Sequence, residues 1–70
     1  MIDKNNHMEQ VAQILGKKLY EEFKTSIDKE GAIWRFTPEG LECKELNKDY
    51  WYGADSVYLY KLLVGIEVIV

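Results

Sequence analysis

Trp34-Arg35-Phe36-Thr37-Pro38-Glu39-Gly40-Leu41 is the stretch on which the fold turns. Two β-prone segments flank a tight turn that the residues themselves specify. Pro38 presets φ for the first corner of a type I turn, and Gly40 can take the left-handed conformation that closes a three-residue hairpin loop. The hairpin then pairs roughly 32–37 with 41–46. This loop length sets Thr37 opposite Leu41 and Trp34 opposite Lys44. Trp34 and Phe36, two positions apart, share one strand face, the face expected to be covered by helices.

On the N-terminal side, Asn6 followed by Glu9 forms a capping-box pattern. Met8, Val11, Ala12 and Leu15 follow at i, i+3, i+4 and i+7, which is one helix face. Gly16 stands where a C′ glycine belongs, with Lys17 and Lys18 near the negative end of the helix dipole. A helix over about 6–15 is the result. Beyond it the pattern divides. Leu19 and Phe23 continue the apolar stripe, so a kinked or second helix could reach about 24. Alternatively, Glu22-Phe23-Lys24-Thr25 is a short strand or irregular segment, and this is the reading carried forward. Asp28-Lys29-Glu30-Gly31 is a loop.

On the C-terminal side, 47–53 reads as a loop containing Tyr50-Trp51-Tyr52. Asp55 or Ser56 caps a second helix. Leu59, Leu62, Leu63 and Ile66 supply its apolar stripe, and Gly65 ends it. Glu67-Val68-Ile69-Val70 reads as a short terminal strand. The order is helix, β-hairpin with two or three antiparallel strands, helix, strand: a single small α+β domain over 1–70. The apolar terminal strand is either buried in the sheet, an edge that pairs with another chain, or a point inside a longer protein.

Seventy residues hold one domain. A chain of this length buries only about 60% of its unfolded surface, so its stability is expected to be marginal or shared with a partner. An apolar content of 47% supports a real core, and mixed charges at 30% do not fit disorder. The net charge of −3 argues against a nucleic-acid binder, which usually shows a basic face. Cys43 is the only cysteine, which points to a reducing cytosol. The N-terminal residues lead into no apolar run, so no signal peptide is expected. The apolar run 62–70 falls well short of the ~20 residues of a membrane helix, and no membrane association is expected.

Chemistry-bearing residues are sparse. His7, the only histidine, lies near a helix N-terminus with no ligand-spaced partner, so a zinc site is not expected. Cys43 would be a nucleophile only with a base held near it; His7 is the sole candidate and no contact is expected, so Cys43 reads as a small half-buried residue of a hairpin strand. Glu39, Glu42, Glu45 and Asp49 cluster near the turn, but an exposed turn would not shift a carboxylate pKa as general acid–base work requires. The five glycines are isolated punctuation, not a phosphate-binding loop. No cofactor, small-molecule substrate or enzymatic activity is expected.

Two other patterns stand out. Three consecutive aromatics cannot all point inward from a loop, and exposed Tyr and Trp side chains are typical of protein-interface hot spots. Tyr50, Trp51 and Tyr52, with Val68 and Val70 of the terminal strand, are therefore the candidate interface residues. Tyr58 and Tyr60 lie on opposite sides of the second helix, so one could extend that patch. The phrase Gln10-Val11-Ala12-Gln13-Ile14-Leu15-Gly16 also looks like the opening helix of a helix-turn-helix. A DNA reader would need a basic recognition helix after the turn, whereas Leu19-Tyr20-Glu21-Glu22-Phe23 is acidic at its centre. In that reading the hairpin is a wing, with Arg35 and Lys44 as phosphate contacts.

Val11-Ala12-x-x-Leu15-Gly16, Glu21-Glu22-Phe23-Lys24, Trp34-Arg35-Phe36-Thr37-x-x-Gly40-Leu41 and Leu62-Leu63-x-Gly65 together resemble short uncharacterised proteins of phages and prophages of Gram-positive bacteria. The resemblance spans about 8–70, and its motifs are structural. It implies a bacterial cytoplasmic setting and an accessory role, and it carries no catalytic residue over. The leading expectation is a non-enzymatic interaction module that binds a protein partner or forms a homo-oligomer. The alternative is a winged helix-turn-helix DNA binder.

Overall fold

Helix α1 (His7–Ile14) stops because Gly16 adopts φ +78°, a left-handed conformation that suits glycine. The Gly16 N–H donates to the Gln13 carbonyl at 2.9 Å and the Lys17 N–H to the Ala12 carbonyl at 2.8 Å. That pair of bonds is a Schellman motif and satisfies carbonyls the helix would otherwise leave open. The computed structural model describes residues 7–27 and 31–70. The expected Asn6 cap and most of the 28–31 loop lie outside the described residues. Two strands, β1 (Ile33–Thr37) and β2 (Gly40–Lys44), form the hairpin; β3 (Tyr52–Gly53) and helix α2 (Ser56–Val64) follow. This is an α+β arrangement with an antiparallel sheet in the order β1-β2-β3.

The hairpin forms where expected, but its register differs by one residue. Thr37 pairs with Gly40, Phe36 with Leu41 and Trp34 with Cys43; the expected Thr37–Leu41 and Trp34–Lys44 pairs do not occur. Two physical reasons favour the observed register. The Thr37 hydroxyl tightens the turn, donating to the Gly40 carbonyl at 3.2 Å and accepting from the Glu39 N–H at 3.2 Å. The observed register also sets apolar residues opposite one another on the inner face and Arg35 opposite Glu42 on the outer one. The expected register would have placed a buried Trp across from a lysine, and a one-residue slip moves every side chain of a strand to the wrong partner.

The segment after α1 is extended, not helical. Leu19 bridges Phe36, and Phe23 bridges Trp34, exchanging both backbone hydrogen bonds with it at 2.8 and 2.9 Å. Tyr20 has φ +66°, which no helix tolerates, and its N–H donates to the Phe36 carbonyl at 2.8 Å. Backbone pairing with β1 thus overrides the four-residue apolar spacing of Leu19 and Phe23.

Tyr52–Gly53, expected inside a loop, is the third strand. It pairs with Glu42 and Cys43 of β2. At the far side of the sheet the expected terminal strand reduces to one bridge, Thr25 with Ile69. The Ser26 N–H donates to the Val68 carbonyl and the Val70 N–H to the Lys24 carbonyl, both at 2.9 Å. Gly65, Ile66 and Glu67 are spent on leaving the helix, so too few residues remain for a ladder. The tail is paired along one side, not buried within the sheet.

Asp55 is the N-cap of α2, its Oδ1 accepting from the Val57 N–H at 3.1 Å, and Gly65 at φ +84° is the C-cap. Leu62 is the buried residue of this helix, with Tyr58 and Leu59 packed beside it. Leu63 and Ile66, expected in the buried stripe, are exposed. Both helices lie against the inner sheet face, where Ala12, Phe23, Trp34, Phe36, Leu41, Cys43 and Leu62 form one core. Phe23 and Phe36 stack at a tilt, centroids 5.1 Å apart, and Tyr58 meets Trp34 edge-to-face at 6.0 Å. Full burial of such a side chain contributes about 1.5–3 kcal/mol relative to exposure. The Trp34 Nε1 is buried with no hydrogen-bond acceptor among the described residues, a cost that its ring burial outweighs. Among the described residues, no helix is long and apolar enough to cross a membrane.

Candidate interaction surface

The outer face of the hairpin is polar where the strands alternate. Arg35 Nε and Nη2 both reach Glu42 Oε1 at 3.0 Å. Its guanidinium carbon lies 4.0 Å from the Trp51 ring centre and 5.3 Å from that of Tyr20. Lys44 Nζ approaches the same indole at 5.8 Å. Such contacts are worth about 0.5–1 kcal/mol each at exposed sites. Trp51 is therefore half-buried against the sheet by the cation beneath it.

Its neighbours are tied in other ways. The Tyr52 hydroxyl donates to Glu45 Oε2 at 2.8 Å. Its pKa is driven well above the ordinary 10.0, first by side-chain hydrogen bonding with Cys43 and then by that with Glu45. Both effects favour the protonated phenol. Tyr50 is exposed and lies 6.3 Å from the Tyr52 ring, with Lys48 Nζ 5.9 Å from its own.

The other candidate residues, Val68 and Val70, are 50% and 76% exposed. They flank the 23–26 segment, whose Phe23 pairs with β1. The aromatic loop belongs to β3, beyond β2. The two halves of the expected interface thus lie at opposite edges of the sheet, and the fold does not join them into one patch.

A third region carries no conspicuous motif in the sequence. Around the α2 axis, with Leu62, Tyr58 and Leu59 facing inward, Val57, Tyr60 and Val64 fall on the diametrically opposite side. They are 44%, 58% and 52% exposed, and Leu63, also exposed, lies on the flank of the helix between Leu59 and Tyr60. An ordinary surface helix carries charges there. α2 carries one charged residue, Lys61, with Nζ 5.9 Å from the Tyr58 ring. The sequence does hold a signal for it: Val57, Tyr60 and Val64 form a second apolar stripe at i, i+3 and i+7 beside the buried one.

The remaining candidates take ordinary places. His7 is exposed at the start of α1, and Cys43 is buried on β2. Glu42 and Glu45 are engaged by Arg35 and Tyr52, so they do not form a carboxylate pair. Among the described residues, no group of three or more His, Cys, Asp or Glu side chains could hold a metal ion. A cleft of about 160 Å³ lies between the hairpin turn and the start of α2, lined by Thr37, Leu41, Gly53 and Leu59 among others. Small-molecule sites run to about 300–1,000 Å³, so it is undersized for one. No helix follows α1 before β1 among the described residues, so the recognition helix that a helix-turn-helix requires is not in place. Arg35, expected as a wing contact, is already ion-paired.

No family model, curated protein or solved structure matches the chain.

Proposed function

We propose that this domain is a non-enzymatic interaction module whose contact surface is centred on the outward side of α2. The observation that carries this reading is the stripe Val57, Tyr60 and Val64, apolar and about half exposed, opposite the buried side of the same helix. A helix that is apolar all round is stable in water only when something covers it. The surface has the character of an interface core, with aliphatic side chains and one tyrosine that combines large contact area with few rotors. The resemblance to phage and prophage proteins supports an accessory role of this kind in the bacterial cytoplasm. Tyr50, exposed at the β3 edge, offers a second contact.

The test is capture by immobilised chain from a Gram-positive bacterial lysate spiked with tagged copies of the chain itself. The wild type should retain at least one protein that a Tyr60→Lys, Val64→Lys variant does not, while circular dichroism shows the variant folded. Equal retention by both, or none by either, would overturn the proposal.

A further inference from the structure

We propose that the cleft between the hairpin turn and the start of α2 is a socket for one lysine side chain of a partner protein. This goes beyond the α2 stripe and does not depend on it.

Size and walls are the first argument. The cleft holds about 160 Å³. An apolar cavity of about 150 Å³ takes up one benzene molecule, so this space suits one side chain and little more. Leu41, Ala54 and Leu59 supply apolar walls. A lysine stem can lay its methylenes against them while the ammonium stays at the mouth.

Gly53 is the second argument. It is the one glycine of the five without a positive φ, so its backbone does not call for glycine. A Cβ built there meets nothing within 4 Å, so packing within the chain does not exclude a side chain either. Glycine weakens a strand, and within strands it marks places where a ligand or another backbone comes close. Gly53 and its cross-strand partner Glu42 share a sheet face, and both line the cleft. The missing side chain leaves that wall of the cleft open.

Charge selects the occupant. The lining includes Glu39 and Glu42 and no cationic residue. Glu42 is engaged by Arg35. Glu39 forms no ion pair among the described residues; its Oε1 lies 3.5 Å from the hydroxyl of Thr37, itself a lining residue. Asp55 stands between the lining residues Ala54 and Ser56, its Oδ1 on the Val57 N–H at 3.1 Å. That carboxylate offsets the positive end of the α2 dipole, which would otherwise repel a cation. A positive head on an apolar stem complements this arrangement. Lysine, with its compact head and unbranched stem, fits so small a cleft better than the wide planar guanidinium of arginine.

Nuclear magnetic resonance titration of the isotope-labelled intact chain tests this with capped Ala-X-Ala tripeptides in which X is lysine, norleucine or glutamate. The lysine peptide should shift the Gly40, Gly53 and Ala54 amides saturably, with a Kd on the order of 1 mM. Norleucine should bind about fivefold more weakly, and glutamate not at all. Glu39→Gln should bring the lysine peptide down to the norleucine level. Gly53→Val should weaken the lysine peptide about tenfold. Its melting temperature should stay level or rise, because a β-branched side chain suits a strand. Glu39→Gln, on the exposed turn, keeps the test decisive if Gly53→Val does not fold. The absence of a saturable shift at those amides overturns the proposal. So does equal binding of the lysine and norleucine peptides, or wild-type binding by Glu39→Gln or by a folded Gly53→Val chain.

Discussion

The Tyr50-Trp51-Tyr52 loop and the outward stripe of α2 are both apolar and both reach the surface, but they stand in opposite relations to the rest of the molecule. Each loop aromatic has a use within the chain: Trp51 stacks over Arg35, Tyr52 donates to Glu45, and Tyr50 sits between Tyr52 and Lys48. Val57 and Val64 have no polar atom or ring face with which to take part in such a network. An aromatic side chain on a polar sheet can be satisfied by cations and carboxylates. An aliphatic one can be satisfied only by apolar cover. Exposure alone therefore ranks the two regions as equals, while chemistry separates them.

The sharpest way to probe this contrast is to cut both sides of α2. Leu62→Ala removes a buried core residue and should cost about 2–5 kcal/mol, enough to threaten a domain this small. Val64→Ala, two residues on and half exposed, should change monomer stability by no more than about 0.5 kcal/mol. Urea unfolding of dilute protein checks both. Comparable losses at the two positions would mean that the outward stripe is already covered within the chain, and the proposed interface would be gone.

Trp51→Ala comes next. It removes the ring over Arg35 and the half-buried surface beneath it, and should cost about 1–2 kcal/mol. Capture of a protein through the α2 stripe should be unaffected, because Trp51 lies over Arg35 on the outer sheet face whereas α2 packs on the inner one. Arg35→Lys should cost less, about 0.5–1 kcal/mol, since a lysine keeps the charge opposite Glu42 but loses the planar stack. Thermal melts of both variants beside lysate capture by each separate stability from association. A Trp51→Ala chain that melts like wild type but no longer associates would make the loop the interface and leave the stripe a bystander.

Much of this contrast could be read in the sequence, and the failures have identifiable causes. Helix α1, the hairpin, the Asp55 cap and the glycine stops were legible because capping and turn residues act locally, within a few positions of where they stand. The register was missed by one residue, although the alternation Ile33-Trp34-Arg35-Phe36 against Leu41-Glu42-Cys43-Lys44 contains it: only one pairing keeps Trp34 away from a lysine and gives Arg35 its glutamate. The 19–25 segment was legible only as an open choice, since spacing alone cannot register the bonds between Phe23 and Trp34. The aromatic loop stands out because its residues are conspicuous; that Trp51 lies over Arg35 depends on a contact across the sheet that no local pattern encodes. The α2 stripe is hidden for the converse reason. One buried face is enough to explain a helix, and Leu59 and Leu62 supply it, although the remaining helix positions are scarcely more polar.

The smallest effect tests how firmly the loop is tied down. Tyr52 has its pKa held above 10.0 by side-chain hydrogen bonding with Cys43 and Glu45. The unfolded chain releases this proton at the ordinary value, and the folded chain keeps it to higher pH. Well below pH 10.0 both states are protonated and the stabilisation from the hydroxyl is fully present. Above that value the unfolded state deprotonates first, so the contribution falls as pH rises through the raised folded value. The melting-temperature advantage of wild type over Tyr52→Phe should therefore be constant from about pH 7 to about pH 9 and shrink beyond about pH 10. Phenolate absorbance should show a late step for Tyr52, and that step should vanish in the variant. A late step that persists in the variant would mean that the hydroxyl is not held by Glu45 in solution. The loop would then rest on the Trp51–Arg35 stack and the pairing of β3 with β2, and the Tyr52 ring would be as free to meet a partner as the valines of α2.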